Sequence, residues 1–256
     1  MKLFLNNQAA FHKQYVLGQY NDRTSPSALE GVTFHKFLEQ GIREVPSDAE
    51  IISLMEELSK DKTVNWGKTG SFDKSAKCVA NALSFFFEEV EMPENCECEV
   101  RMTSTLVDHE GVDLPIPFKG IIDRIHVNKN GENVLTDYKM TIQPTLPGEY
   151  NLEYVLQAIP YFLLMRAANK PVAYMEFLQI KKSKNKDGSP QVVPYMVTHH
   201  DVDTHLKAFA TLVRLVYEAI SGRVPMYKGQ QVFLPNPFEE YNGEEAWQDF
   251  ITLLKT

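Results

Sequence analysis

The chain has 256 residues, 43 % of them hydrophobic, and a formal net charge of −8. That is enough to bury a full core as one large domain, or one domain with a helical extension. No apolar run reaches the ~18 residues a membrane span needs, the first residues carry no signal-like stretch, and three cysteines make no disulfide framework, so a cytoplasmic protein is expected.

In chain order, the first ~90 residues read as helical on their periodicity. One helix is predicted over 28–40, ending at Gly41. Ser47-Asp48-Ala49-Glu50 has capping-box chemistry and opens a second, to about Lys60. Lys62 to Gly70 reads as a polar loop, and 73–91 as a third helix, apolar at Val79, Leu83, Phe86 and Phe87. Three antiparallel strands follow, near 96–107, 116–127 and 132–140. Residues 141–150, with two prolines and a glycine, read as a loop, and 151–168 as an amphipathic helix. A strand pair, 172–180 and 190–198, precedes a long helix near 201–221. The tail, 223–256, is proline-containing, with a last helix predicted from Glu244. Strands, a crossover helix and further strands predict an α/β fold: a mixed β-sheet with helices on both faces. Residues 1–92 form a helical N-terminal portion packed on a core of 93–222.

The most informative stretch is Gly-Ile-Ile-Asp-Arg-Ile (120–125) followed by Leu-Thr-Asp-Tyr-Lys (135–139). Residues two apart on a strand share a face, so Asp137 and Lys139 point together and Tyr138 points away. The turn decides whether Asp123 joins them. A two-residue loop of Asn130-Gly131 would set Asp123 opposite Tyr138. A three-residue loop of Lys129-Asn130-Gly131, with Gly131 left-handed, pairs Asn128 with Glu132 and sets Asp123 opposite Asp137; this form is predicted. Two carboxylates across a strand pair repel unless a cation sits between them. Hard oxygen ligands suit Mg2+ or Mn2+, with the backbone carbonyl of Tyr138 as a further donor. Lys139 is a point charge able to orient water or offset charge on a phosphate.

These residues resemble the RecB-type branch of the PD-(D/E)xK nuclease superfamily. There, Gly-x-x-Asp is followed by Asp/Glu-x-Lys and then by a helix bearing Gln-x-x-x-Tyr; here the runs are GIIDRI, TDYKM and QAIPY. The strong resemblance covers roughly residues 97–170. It implies a restriction-endonuclease-like core, with Asp123, Asp137 and Lys139 catalytic and Gln157 and Tyr161 contacting DNA or supporting the site. It also implies a glutamate on the strand before the hairpin, Glu99 rather than Glu97. Many members carry a metal-binding histidine on an early helix, after a glycine. The region matched to it, Gly70 to Lys77, has no histidine, so either Asp73 replaces it or the position is lost. Pro160 inside the glutamine–tyrosine motif predicts a kink. Some relatives hold an iron–sulfur cluster with four cysteines; this chain has none after Cys98, so no such cluster is expected.

The implied activity is magnesium- or manganese-dependent hydrolysis of DNA, as a stand-alone exonuclease on linear or single-stranded DNA in recombination, repair or phage DNA processing. The partner class this setting implies is a recombination or single-strand-binding protein. Two alternatives stand beside it: a catalytically decayed DNA-binding module, and a structure-selective endonuclease on the same fold. Lys181 and Lys182 open a basic run that serves either phosphate contact or a solubilising hairpin tip. His199 to His205 reads as a metal cluster or as an Asp-capped helix start.

Overall fold

The computed structural model describes residues 11–19, 23–68, 70–93 and 95–223. Among the described residues a short π-helical segment, His12–Val16, precedes three α-helices: α1 (Pro26–Glu39), α2 (Asp48–Leu58) and α3 (Phe72–Glu89). Strands β1 (Cys96–Val107), β2 (Asp113–Val127) and β3 (Asn133–Thr141) follow, then helix α4 (Leu152–Ala167). Strands β4 (Val172–Lys181) and β5 (Val192–Val197) lead into α5 (His199–Ile220). The strands form one five-stranded sheet in the order β1-β2-β3-β4-β5. Only the β3–β4 pair is parallel, and α4 makes the crossover between those strands. This is the expected mixed sheet with helices on both faces, consistent with a restriction-endonuclease-like α/β fold.

Local chemistry accounts for the helix starts. Ser25 caps α1 by accepting from the Ala28 N–H at 3.1 Å, with Pro26 at the first helical position, where its missing N–H costs nothing. Ser47 and Glu50 form the reciprocal capping box of α2. Helix α4 runs through Pro160 without interruption. The predicted loop at 62–70 contains a two-residue strand, Thr63–Val64, paired in parallel with Arg23–Thr24. The helix expected from Glu244 lies outside the described residues.

The two faces of the sheet bury separate cores. Helices α4 and α5 bring Val155, Ile159, Phe162, Phe209 and Val213 against Leu135, Met175 and Phe177. Helices α1 to α3 bring Phe34, Met55, Leu83 and Phe86 against Tyr138, Leu178 and Ile180. Helices α1 to α3 are thus a layer of the fold, because without them the apolar face of β3 and β4 would meet water. The Tyr138 ring meets Phe86 edge-on with centroids 5.3 Å apart. The Arg124 guanidinium stands 5.6 Å from its centroid on another side. Such contacts add about 0.5–1.5 kcal/mol each beyond area burial and fix the backbone of β3 where the site lies.

Candidate functional site

The hairpin between β2 and β3 has the three-residue loop. Asn128 N–H donates to the Glu132 carbonyl at 2.9 Å, Gly131 N–H donates to Asn128 at 3.0 Å, and Gly131 has φ +80°. The register pairs Val127 with Asn133 and Arg124 with Thr136, so Asp123 comes next, opposite Asp137. The regular ladder stops there. Its next bond would run from Tyr138 N–H to the Ile122 carbonyl, by the alternation of antiparallel pairs. Instead Tyr138 N–H donates to Asp123 Oδ2 at 2.8 Å. A side-chain oxygen replaces a backbone one, and the strands part where the two carboxylates stand.

On the other side of Asp123 lies Glu99. The β1–β2 register pairs Cys98 with Arg124 and Val100 with Ile122, which leaves Glu99 facing Asp123. Glu99 has φ +53°, a left-handed conformation in a residue with a side chain. That costs about 1–2 kcal/mol and is typical of positions where a site dictates the backbone. Three carboxylates therefore stand in a row across three strands. Burial pushes Glu99 up, the charges of Asp123 and Glu39 add to the rise, and His35 and Arg101 oppose it.

The fourth member was not anticipated. His35, on α1, reaches in from the helical N-terminal layer. Its Nε2 lies 2.8 Å from the Tyr138 carbonyl and its Nδ1 3.4 Å from Asp123 Oδ2. A carbonyl only accepts, so Nε2 carries a proton. In the neutral ring Nδ1 then presents a lone pair to a carboxylate, and two acceptors face each other unless a proton or a cation is shared. Burial pulls the His35 pKa down, but the hydrogen bond and charge of Asp123, the charge of Asp137 and the Tyr138 carbonyl outweigh it, and the net direction is up. Donor atoms of His35, Glu99 and Asp123 all lie within 4.8 Å of one another.

Asp137 completes the arrangement. Gln157 Nε2, from α4, donates to its Oδ1 at 2.8 Å. Lys139 Nζ lies 2.7 Å from Oδ2 as an ion pair. That oxygen is buried, and the lysine ammonium is its partner. Burial lifts the Asp137 pKa to about 6, with Lys139 opposing and Asp123 reinforcing the rise. The histidine lone pair and the carboxylates of Glu99 and Asp123, converging beside Asp137, fit a divalent cation. Tyr161 donates from its hydroxyl to the Ile121 carbonyl at 3.0 Å, so it holds β2 in place.

Several expected residues stand elsewhere. Asp73 is in the first turn of α3 and is not part of the cluster. The histidine that stands with the carboxylates is His35, four residues after Gly31. The Tyr138 carbonyl is at the site, but it accepts from His35. Lys182 is no surface cation: it is 7 % exposed, with Nζ 2.5 Å from Glu30 Oε2 and 3.1 Å from Ser27 Oγ. Its charge serves the interior, where it cannot meet a phosphate. Lys181 is half-buried and donates to Asn185. His199 bonds the Val172 carbonyl and His205 pairs with Tyr150, so the histidine run reads as packing. Cys96 and Cys98 are free thiols.

No helix among the described residues is long and apolar enough to cross a membrane. No protein-family model matches the chain, and neither does any curated protein. Among solved structures, a protein from Eubacterium rectale described as a "Putative exonuclease" aligns with 84 % of this chain and 76 % of its own, at 14 % identity and a TM-score of 0.53. A second, SSO0001, aligns with 88 % of this chain and 87 % of its own, at 15 % identity and a TM-score of 0.37. At such identities the first of these likenesses is one of fold: most of the described chain follows the same path as the Eubacterium rectale protein.

Proposed function

We propose that this protein is a divalent-metal-dependent deoxyribonuclease of the RecB-type PD-(D/E)xK class. The observation that carries the reading is the convergence of His35, Glu99 and Asp123 within 4.8 Å, beside Asp137 and Lys139. The fold shared with a protein described as a "Putative exonuclease" supports it. His35, Glu99, Asp123 and Asp137 are the residues that would hold the cation. A divalent ion there would acidify water and offset charge on phosphoryl oxygens. One imidazole among carboxylates favours Mn2+ somewhat more than an all-oxygen set does, while leaving Mg2+ competent.

The protein's own groups supply the rest. Gln157 holds Asp137 by one oxygen and so fixes the direction of the other. Lys139, tethered to that second oxygen, is placed to orient the attacking water and to offset charge as it builds on the phosphate. Asp123, by bonding Tyr138 N–H, takes the place of a ladder carbonyl where the carboxylates stand. Hydrolysis adds the water oxygen to phosphorus and breaks one P–O ester bond, and the leaving oxygen takes up a proton.

The test is degradation of labelled linear DNA with Mg2+ or Mn2+, comparing wild type with Asp123→Asn, Asp137→Asn and Lys139→Ala. Each variant is expected to lose at least 100-fold in rate. A wild-type protein that binds DNA but leaves it uncut with either metal would overturn the reading.

A further inference from the structure

A cavity of about 530 Å³ begins at His35, Glu99 and Asp123 and runs away from them between the C-terminal ends of α1 and α3. Beyond the acidic end its wall is mostly apolar, with exposed Glu39 as a further carboxylate. Leu38, Ile42, Phe87 and Val90 line it, and all four are only half-buried. Arg43 lines it too, exposed to solvent. One end therefore presents groups suited to a cation and a phosphate, and the other an aromatic and aliphatic surface that water solvates poorly.

Deepening the nuclease reading, on which this inference rests, we propose that the cavity takes the unpaired nucleoside next to the scissile phosphate. A phosphate held at the carboxylate end leaves its attached sugar and base at the mouth of the apolar part. The volume falls within the ~300–1,000 Å³ usual for a small-molecule site, which suits one nucleotide and not a stacked duplex. An apolar wall with an aromatic ring accepts any base, because every base has a face to stack. The substrate class that follows is DNA with a single-stranded end, shortened by release of nucleoside monophosphates. A base inside a duplex would have to leave its stack to enter.

The experiment uses the full chain with Mn2+ and two probes, 5′-dAMP and inorganic phosphate, measured by equilibrium dialysis. The cavity predicts that dAMP binds at least tenfold more tightly than phosphate. Ile42→Trp, which fills the apolar part, should abolish that difference, with phosphate affinity and the unfolding temperature unchanged. Leu38→Phe serves as a second filling variant should Ile42→Trp fold poorly. Linear and circular single-stranded DNA are digested in parallel, and the linear form alone should yield mononucleotides. Equal binding of dAMP and phosphate, a difference that survives filling, or circles cut as fast as linear strands would overturn the proposal. If filling abolishes a clear dAMP preference while DNA stays uncut, the nucleoside cavity stands and the hydrolase reading falls.

Discussion

Tyr161 of α4 rests directly on Gly120 of β2. A β-carbon at Gly120 would lie 2.9 Å from Tyr161 Cε1 and 2.8 Å from Leu164 Cδ1, and the Tyr161 hydroxyl donates to the neighbouring Ile121 carbonyl. The glycine three residues before Asp123 is therefore there for close approach, and the tyrosine four after Gln157 is its counterpart. Two short motifs more than thirty residues apart form one contact, and it sets the height of β2 beneath the carboxylates.

Gly120→Ala should destabilise the protein by about 1–3 kcal/mol, because ring and leucine must both yield. Tyr161→Phe keeps the packing and loses one hydrogen bond, about 1 kcal/mol. Chemical denaturation of the two variants checks this ordering. Equal stability of Gly120→Ala and wild type would show that α4 can shift freely.

His35→Ala should weaken Mn2+ binding by about 10- to 100-fold, within the range lost when a metal's supporting groups are removed. The loss should be smaller for Mg2+, which gains less from an imidazole. Titration calorimetry of both ions against wild type and variant measures it. Unchanged Mn2+ affinity would remove His35 from the ligand set.

Lys182 and Glu30 form a buried ion pair, extended by the Ser75 hydroxyl, which donates to Glu30 Oε1 at 2.7 Å. Breaking it by Lys182→Met alone leaves a buried carboxylate uncompensated and should cost about 3–5 kcal/mol. Replacing both, with Glu30→Leu added, should recover most of that. Denaturation of the single and double variants measures the coupling. DNA affinity at moderate salt should be the same in the double variant as in wild type, since this lysine faces the interior.

Asp108 ties the β1–β2 turn to α5. It accepts from the Glu110 and Val112 N–H groups at 2.8 and 2.9 Å and pairs with Arg214 at 2.5 Å. The Arg214 guanidinium first, then the Val112 N–H, hold its pKa down at about 2. The folded value lies below the unfolded value of about 3.9. The contribution to stability is therefore complete above about pH 4 and is lost as pH falls through 2. Arg214→Ala should unfold at a lower temperature than wild type by a constant margin from pH 8 to 5, and the margin should narrow below pH 4. Thermal unfolding across that range tests it, and a margin that widens in acid would contradict it.

What the sequence alone determined is what short-range chemistry controls. The loop at Lys129 to Gly131 fixed the hairpin register, because only one loop length puts Asp123 opposite Asp137. Ser47 followed by Glu50 fixed the start of α2, and strand alternation put Asp137 and Lys139 on one face and Tyr138 on the other. What only the tertiary structure decided depends on contacts between distant segments. His35 lies 103 residues before the Tyr138 carbonyl it bonds, and nothing local to α1 distinguishes it from a surface histidine. Lys182 looks like part of a solvated basic run until α1 brings Glu30 against it from 152 residues away. The left-handed turn at Glu99 likewise has no local cause, since its sequence neighbours form a plain strand. Burial, charge pairing and strain of this kind exist only once α1, β1 and β3 share one small volume.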